Sequence, residues 1–183
     1  MYYTTPVSIK GAVYKHSGEI HVKVIIAYMS LSSNTKKIAE AIYQEIQEEK
    51  EIKELHEIDD FEGYDLAFVG FPMHGFGVPE EAQRFLEKHC KGKKIALFVT
   101  HGAPEHSGDL QPWLAKCKEA AVKANVIDMF NCQGELAQFV SDELLKSENP
   151  LFRAYGEAGP STKGQPDAAR VERAHIFARE IMA

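Results

Sequence analysis

The chain has 183 residues, enough for one domain with a sizeable core, and a formal charge of −6 that offers no broad basic field, so nucleic acid is not an expected partner. No apolar stretch is long enough to span a bilayer, and residues 1–21 lack the hydrophobic block of a signal peptide, which makes a reducing cytoplasm the expected location. Three cysteines, Cys90, Cys117 and Cys132, are too few and too scattered for a disulfide framework or a Cys-rich zinc site.

Residues 1–21 read as an N-terminal extension in which Val13 to Val22, around Ser17-Gly18, suits a small hairpin. Val22, Val24, Ile25, Ile26 and Ala27 then form a nearly continuous apolar run, the pattern of a central parallel strand covered on both faces. Ile38, Ala41, Ile42 and Ile46 repeat at three and four residues, so a helix with one apolar stripe follows. Glu51 to Ile58 gives a weak, charged strand suited to a sheet edge. It lies in an acidic run, Glu45 to Asp65, with ten carboxylates and two lysines. Such runs are mostly solvated surface, and a docking face for a basic partner is the minority reading.

Tyr64 to Phe71 is a second buried strand that runs straight into Pro72-Met-His-Gly-Phe-Gly-Val-Pro79, where two glycines and two prolines enforce a loop. A helix follows with Ala82, Phe85 and Leu86 on its stripe. Ile95 to Val99 is another buried strand, followed by the loop Thr100 to Gly108 and a helix carrying Leu110, Trp113, Leu114, Cys117 and Ala121. The last strand spans Val126 to Phe130 and the last helix Asp167 to Met182. Between them, residues 138–165 form an insertion with a short helix at Ser141–Ser147, the segment Asn149 to Tyr155 and a Gly/Pro-rich turn. Strand and helix alternate throughout. That predicts a doubly wound α/β fold, a five-stranded parallel sheet between two helical layers, with ligands outside the carboxyl ends of the strands.

The turn after the first strand, Ser30, Leu31, Ser32, Ser33, Asn34 and Thr35, sets four hydroxyls and an amide where a helix N-terminus opens. Free backbone N–H groups and the positive end of the helix dipole suit one anion there. An ordinary helix cap is the bland alternative. The turn contains no lysine, so it is not a triphosphate P-loop. It resembles the phosphate turn of the flavodoxin-like family, with Ser33 where glycine is usual. If that position needs positive φ, serine carries a conformational cost.

The resemblance covers residues 22 to about 137 and the last helix. It implies a sheet order 2-1-3-4-5 and FMN as cofactor. Its two flavin-ring loops fall on Pro72, Met73, His74, Gly75, Phe76 and Gly77, and on Thr100, His101, Gly102 and Ala103. A flat, partly apolar ring favours a slot with an aromatic or Met face, which Met73, His74 and Phe76 would supply. The competing reading of 72–79 is a rigid connector with an aromatic plug. For 100–103 it is a turn leading into a helix capped by Ser107 or Asp109. His74, His101, His106 and Glu105 carry no compact metal signature, and no metal site is expected. Trp113 and Cys132 read first as packing residues. No residue looks like a dedicated acid, base or nucleophile. The resemblance implies an electron carrier between a reductase and an acceptor protein; a flavin-dependent quinone or small-molecule reductase and an FMN-free interaction module are the alternatives.

Overall fold

Apolar residues placed on both faces of successive strands dictate the architecture. The computed structural model describes residues 21–183, so the hairpin expected at 13–22 lies, except for its last two residues, outside the described residues. Strands β1 (Lys23–Tyr28), β2 (Glu49–Glu54), β3 (Leu66–Pro72), β4 (Lys94–His101) and β5 (Asn125–Gln133) form one parallel sheet in the order β2-β1-β3-β4-β5. The sheet order and the two helical layers agree with expectation.

The inner strands feed two cores, because successive side chains point to opposite faces, while the edge strand β2 adds only Ile52 to one of them. Val24, Ile26, Phe68, Ala96 and Phe98 pack against α1 (Asn34–Glu45) and α6 (Ala168–Met182). Ile25, Ala27, Val69, Phe71, Leu97 and Val99 pack against α2 (Glu80–His89) and α3 (Leu110–Ala120). The continuous apolar runs of the sequence are thus two interleaved period-two patterns.

β4 runs on through Thr100 and His101, residues the sequence places in the following loop, because they pair with Cys132 and Gln133 of β5. Two further strands differ from their sequence pattern. β2 starts earlier and stops at Glu54, where Glu54 N–H donates to Glu57 Oε2 at 2.9 Å and Leu55–Glu57 turn into a short 3₁₀ segment. That capping box ends the strand while Leu55 and Ile58 stay buried below it. β5 runs three residues further than its apolar run, through Asn131, Cys132 and Gln133, which pair with Val99, Thr100 and His101. Polar side chains used in bonds to the β4 exit replace hydrophobic alternation there.

The insertion is more regular than its composition suggests. It forms α4 (Gln138–Leu145) and α5 (Pro150–Ala158), with α5 capped by Asn149, whose side chain accepts Leu151 N–H at 2.9 Å. The two helices approach closely because Gly156 has no Cβ: one added there would lie 2.9 Å from the Leu145 nitrogen. The segment's ends are pinned together, since Glu135 N–H donates to Gln165 O at 3.0 Å. Asp167 caps α6 by accepting Arg170 N–H at 3.0 Å.

Candidate functional site

The loops after β1, β3, β4 and β5 converge at the carboxyl edge of the sheet and are tied to one another. Ser33 is the N-cap of α1 with φ 64 and ψ −2, in the left-handed region. The serine therefore adopts the conformation that glycine holds more cheaply, at a cost of about 1–2 kcal/mol. The N–H of Lys36 donates to Ser30 Oγ at 3.2 Å, while those of Asn34 and Thr35, in the first turn of the helix, have no acceptor among the described residues. Asn34 braces the turn. Its Nδ2 donates to Ser32 Oγ at 3.0 Å and to Glu135 O at 2.8 Å. Gly134 makes that reach possible, because a Cβ there would meet Asn34 Nδ2 at 2.7 Å. Leu31 points outward and is 68% exposed.

Thr35 and Thr100 are only 1% and 2% exposed, and their hydroxyl oxygens lie 2.8 Å apart. Thr100 was expected beside a ring; its hydroxyl lies instead against Thr35. Its carbonyl accepts Met73 N–H at 2.7 Å, so one residue joins the β1 turn to the β3 loop.

The β3 loop folds back as a two-residue hairpin. His74 and Gly77 exchange both backbone bonds, at 3.0 and 3.1 Å, and the central residues Gly75 and Phe76 have φ 55 and 63. Positive φ at both centres defines a type I′ turn, which is ordinary for glycine and strained for phenylalanine. Packing holds Phe76 there. Its ring centroid lies 4.4 Å from Trp113, 4.8 Å from Phe152 and 6.0 Å from Tyr155, bringing together the β3 loop, α3 and α5. His74 and Gly75 are exposed at the tip.

His101 is buried, with Nδ1 3.0 Å from Ala103 O and Nε2 3.1 Å from the Asn131 side-chain amide. Burial, the largest effect, lowers its pKa below 6.5 against the pull of those two bonds. A neutral ring donates from Nδ1 and needs the Asn131 NH₂ turned toward Nε2. Both nitrogens of this imidazole, expected to face a ligand, are therefore engaged by the protein. Glu105 is a structural anchor: it accepts Gln133 N–H at 3.0 Å and pairs with Arg170 and Arg173 of α6 at 2.8 and 3.0 Å. Burial raises its pKa, but the Gln133 N–H and the two guanidiniums outweigh that and hold it below the usual range. Among the described residues no three His, Cys, Asp or Glu side chains cluster as a metal site. Burial pushes the Cys132 thiol up to about 12, so it is an inert packing group.

Between the β3 and β4 loops lies a cavity of about 320 Å³. Met73, His74, Gly75, Phe76, His101, Gly102 and Ala103 form one side of it. The other side consists of Trp113, Leu136, Val140 and Leu144, with Phe152 and Tyr155. Beyond Leu136, that second half comes from the insertion and from Trp113, which the sequence reads first as packing; Val140 and Leu144 carry no signal beyond an ordinary amphipathic helix stripe.

A parallel sheet of this order, with a serine- and threonine-rich turn after β1 and a largely apolar slot between the β3 and β4 loops, defines a flavodoxin-like protein. A flavodoxin-domain family model matches residues 25–157, and the chain belongs to that family. It is 33% identical over 171 residues to the flavodoxin-like domain-containing protein BilS of Clostridioides difficile (strain CD3), covering 88% of this chain and 97% of that one. Among solved structures it is similar to a flavodoxin of Streptococcus pneumoniae TIGR4, with a TM-score of 0.56 at 15% identity, covering 88% and 98% of the two chains. Oxidised Flavodoxin 2 from Bacillus cereus gives 0.54 at 22% identity over 88% and 98%, and the azoreductase AzrA 0.54 at 12% over 87% and 100%. These structural likenesses show the fold. No helix among the described residues is long and apolar enough to cross a membrane.

Proposed function

We propose that this chain binds FMN and carries electrons between a reductase and an acceptor protein. Flavodoxin-family members bind flavin, typically FMN, and the residues here fit one. The unpaired N–H groups of Asn34 and Thr35, with the hydroxyls of Ser30, Ser32, Ser33 and Thr35, would hold the phosphate. Met73 to Gly77, Gly102 and Ala103 would flank the ring, with α4 and α5 enclosing it. The flavin supplies the redox chemistry; the chain orients it, excludes water and tunes its electrostatics.

One observation favours a carrier over a small-molecule reductase. At about 320 Å³ the cavity stands at the lower end of ligand-site volumes, roughly 300–1,000 Å³, and helices from the insertion form one of its sides. That volume accommodates one ring system, which fits a carrier whose flavin is approached by a partner protein. Left-handed Ser33 supports flavin binding over a bare interaction module, because the turn keeps its strained shape. Titrating the purified chain with FMN and mixing the loaded protein with NADH or NADPH tests both points. Saturable binding with slow bleaching by the nicotinamides is expected. Rapid bleaching without a partner protein would favour the reductase, and no saturable binding the interaction module.

A further inference from the structure

We propose that Thr100 is a positioning residue of the phosphate subsite: its hydroxyl donates to Thr35 Oγ1 and leaves the Thr35 proton free for an anionic oxygen. The inference rests on the FMN reading above and departs from the ring contact expected of Thr100. The two oxygens lie 2.8 Å apart and both side chains are buried. Each hydroxyl carries one proton, and only one of the two can lie between them. The second proton has no acceptor among the described residues, and a buried donor left unpaired is unfavourable.

The direction of the chain follows from where the residues sit. Thr35 is the second residue of α1, on the turn itself, beside the unpaired N–H groups. Thr100 lies in β4 beneath it, fixed between Pro72 and Cys132 of the neighbouring strands and by the Met73 N–H on its carbonyl. Thr100 is thus the rigid member and Thr35 the one that meets the ligand. An anion accepting from Thr35 polarises the bond behind it, so the two hydroxyls act as one cooperative donor.

The test compares Thr100→Val with Thr100→Ser. Dissociation constants for FMN and riboflavin are read by flavin fluorescence, and the ³¹P resonance of bound FMN is recorded. Thr100→Val should weaken FMN about three- to tenfold, leave riboflavin unchanged and move the ³¹P line, while Thr100→Ser restores both properties. Equal losses for the two flavins, or no loss, would reduce the pair to a tie between β4 and α1 and overturn the proposal. Should Thr100→Val not fold, Thr100→Ala against Thr100→Ser gives the same comparison. A wild-type chain that binds neither flavin overturns the FMN reading, and inorganic phosphate then serves as the probe. Weaker ³¹P-detected phosphate binding by Thr100→Val than by wild type sustains the Thr100 role, and equal or absent binding ends it.

Discussion

The rings of Phe76 and Trp113 lie 4.4 Å apart, centroid to centroid, although Phe76 occupies a backbone conformation that bulky residues avoid. The contact places Trp113, the chain's single tryptophan, on the wall of the candidate ring cavity. Its emission therefore reports on that cavity alone. FMN binding should quench most of the tryptophan fluorescence, in step with the quenching of the flavin's own. Flavin uptake that leaves Trp113 emission unchanged would put the ring outside this cavity.

Ser33 yields a prediction of opposite sign to most substitutions. At φ 64 it bears a left-handed cost that glycine escapes, whereas glycine loses more chain entropy on folding. The balance favours Ser33→Gly by about 0.5–1 kcal/mol, measured by urea unfolding, with FMN affinity kept or raised. A destabilised variant would show that the Ser33 hydroxyl makes a bond worth more than the strain it brings.

Sheet order, both helical layers and the three convergent loops were legible in the residues because long buried runs and polar or glycine-rich turns reflect local physics. Ser33 was legible too, since the need for positive φ there could be anticipated. Three things were not. β5 continued through Asn131 and Gln133 on side-chain bonds to His101 and Gly102, which no periodicity announces. Phe76 read first as a face offered to a ligand, with an aromatic plug as the competing reading, and the partners it stacks on, Trp113 and Phe152, lie too far along the chain for the sequence to name them. The insertion read as irregular after Ser147, yet close approach at Gly156 and the Asn149 cap make it a helical hairpin.

His101 predicts a pH dependence. Burial lowers its pKa below 6.5, so the unfolded chain binds a proton in a range where the native chain does not. Its contribution to stability is complete above about pH 6.5 and is lost as the pH falls below that value. His89, also lowered by burial, adds in the same direction but is partly exposed. Melting temperatures should decline from pH 7 to pH 5, and the decline should shrink in His101→Gln more than in His89→Gln. An undiminished slope in His101→Gln would mean that burial does not depress the pKa of the ring.

The helical hairpin α4–α5 can be removed with little risk to the core. Its flanks are already joined, Glu135 N–H to Gln165 O at 3.0 Å, so a few glycine and serine residues span the gap. Both cores are built from other elements, and Tyr155 alone among the hairpin's residues packs against either. Replacing residues 138–162 by such a linker strips Val140, Leu144, Phe152 and Tyr155 from the cavity and frees Phe76 from two of its three aromatic neighbours. It also removes Thr162, whose hydroxyl accepts Leu136 N–H, a modest local loss. The shortened chain should fold, bind FMN through the 30–35 turn, and show bound flavin that iodide quenches more readily. Bleaching by small reductants should accelerate as the ring becomes accessible. Failure to fold would make the hairpin part of the core, and unchanged quenching and bleaching would show that α4 and α5 do not shield the ring.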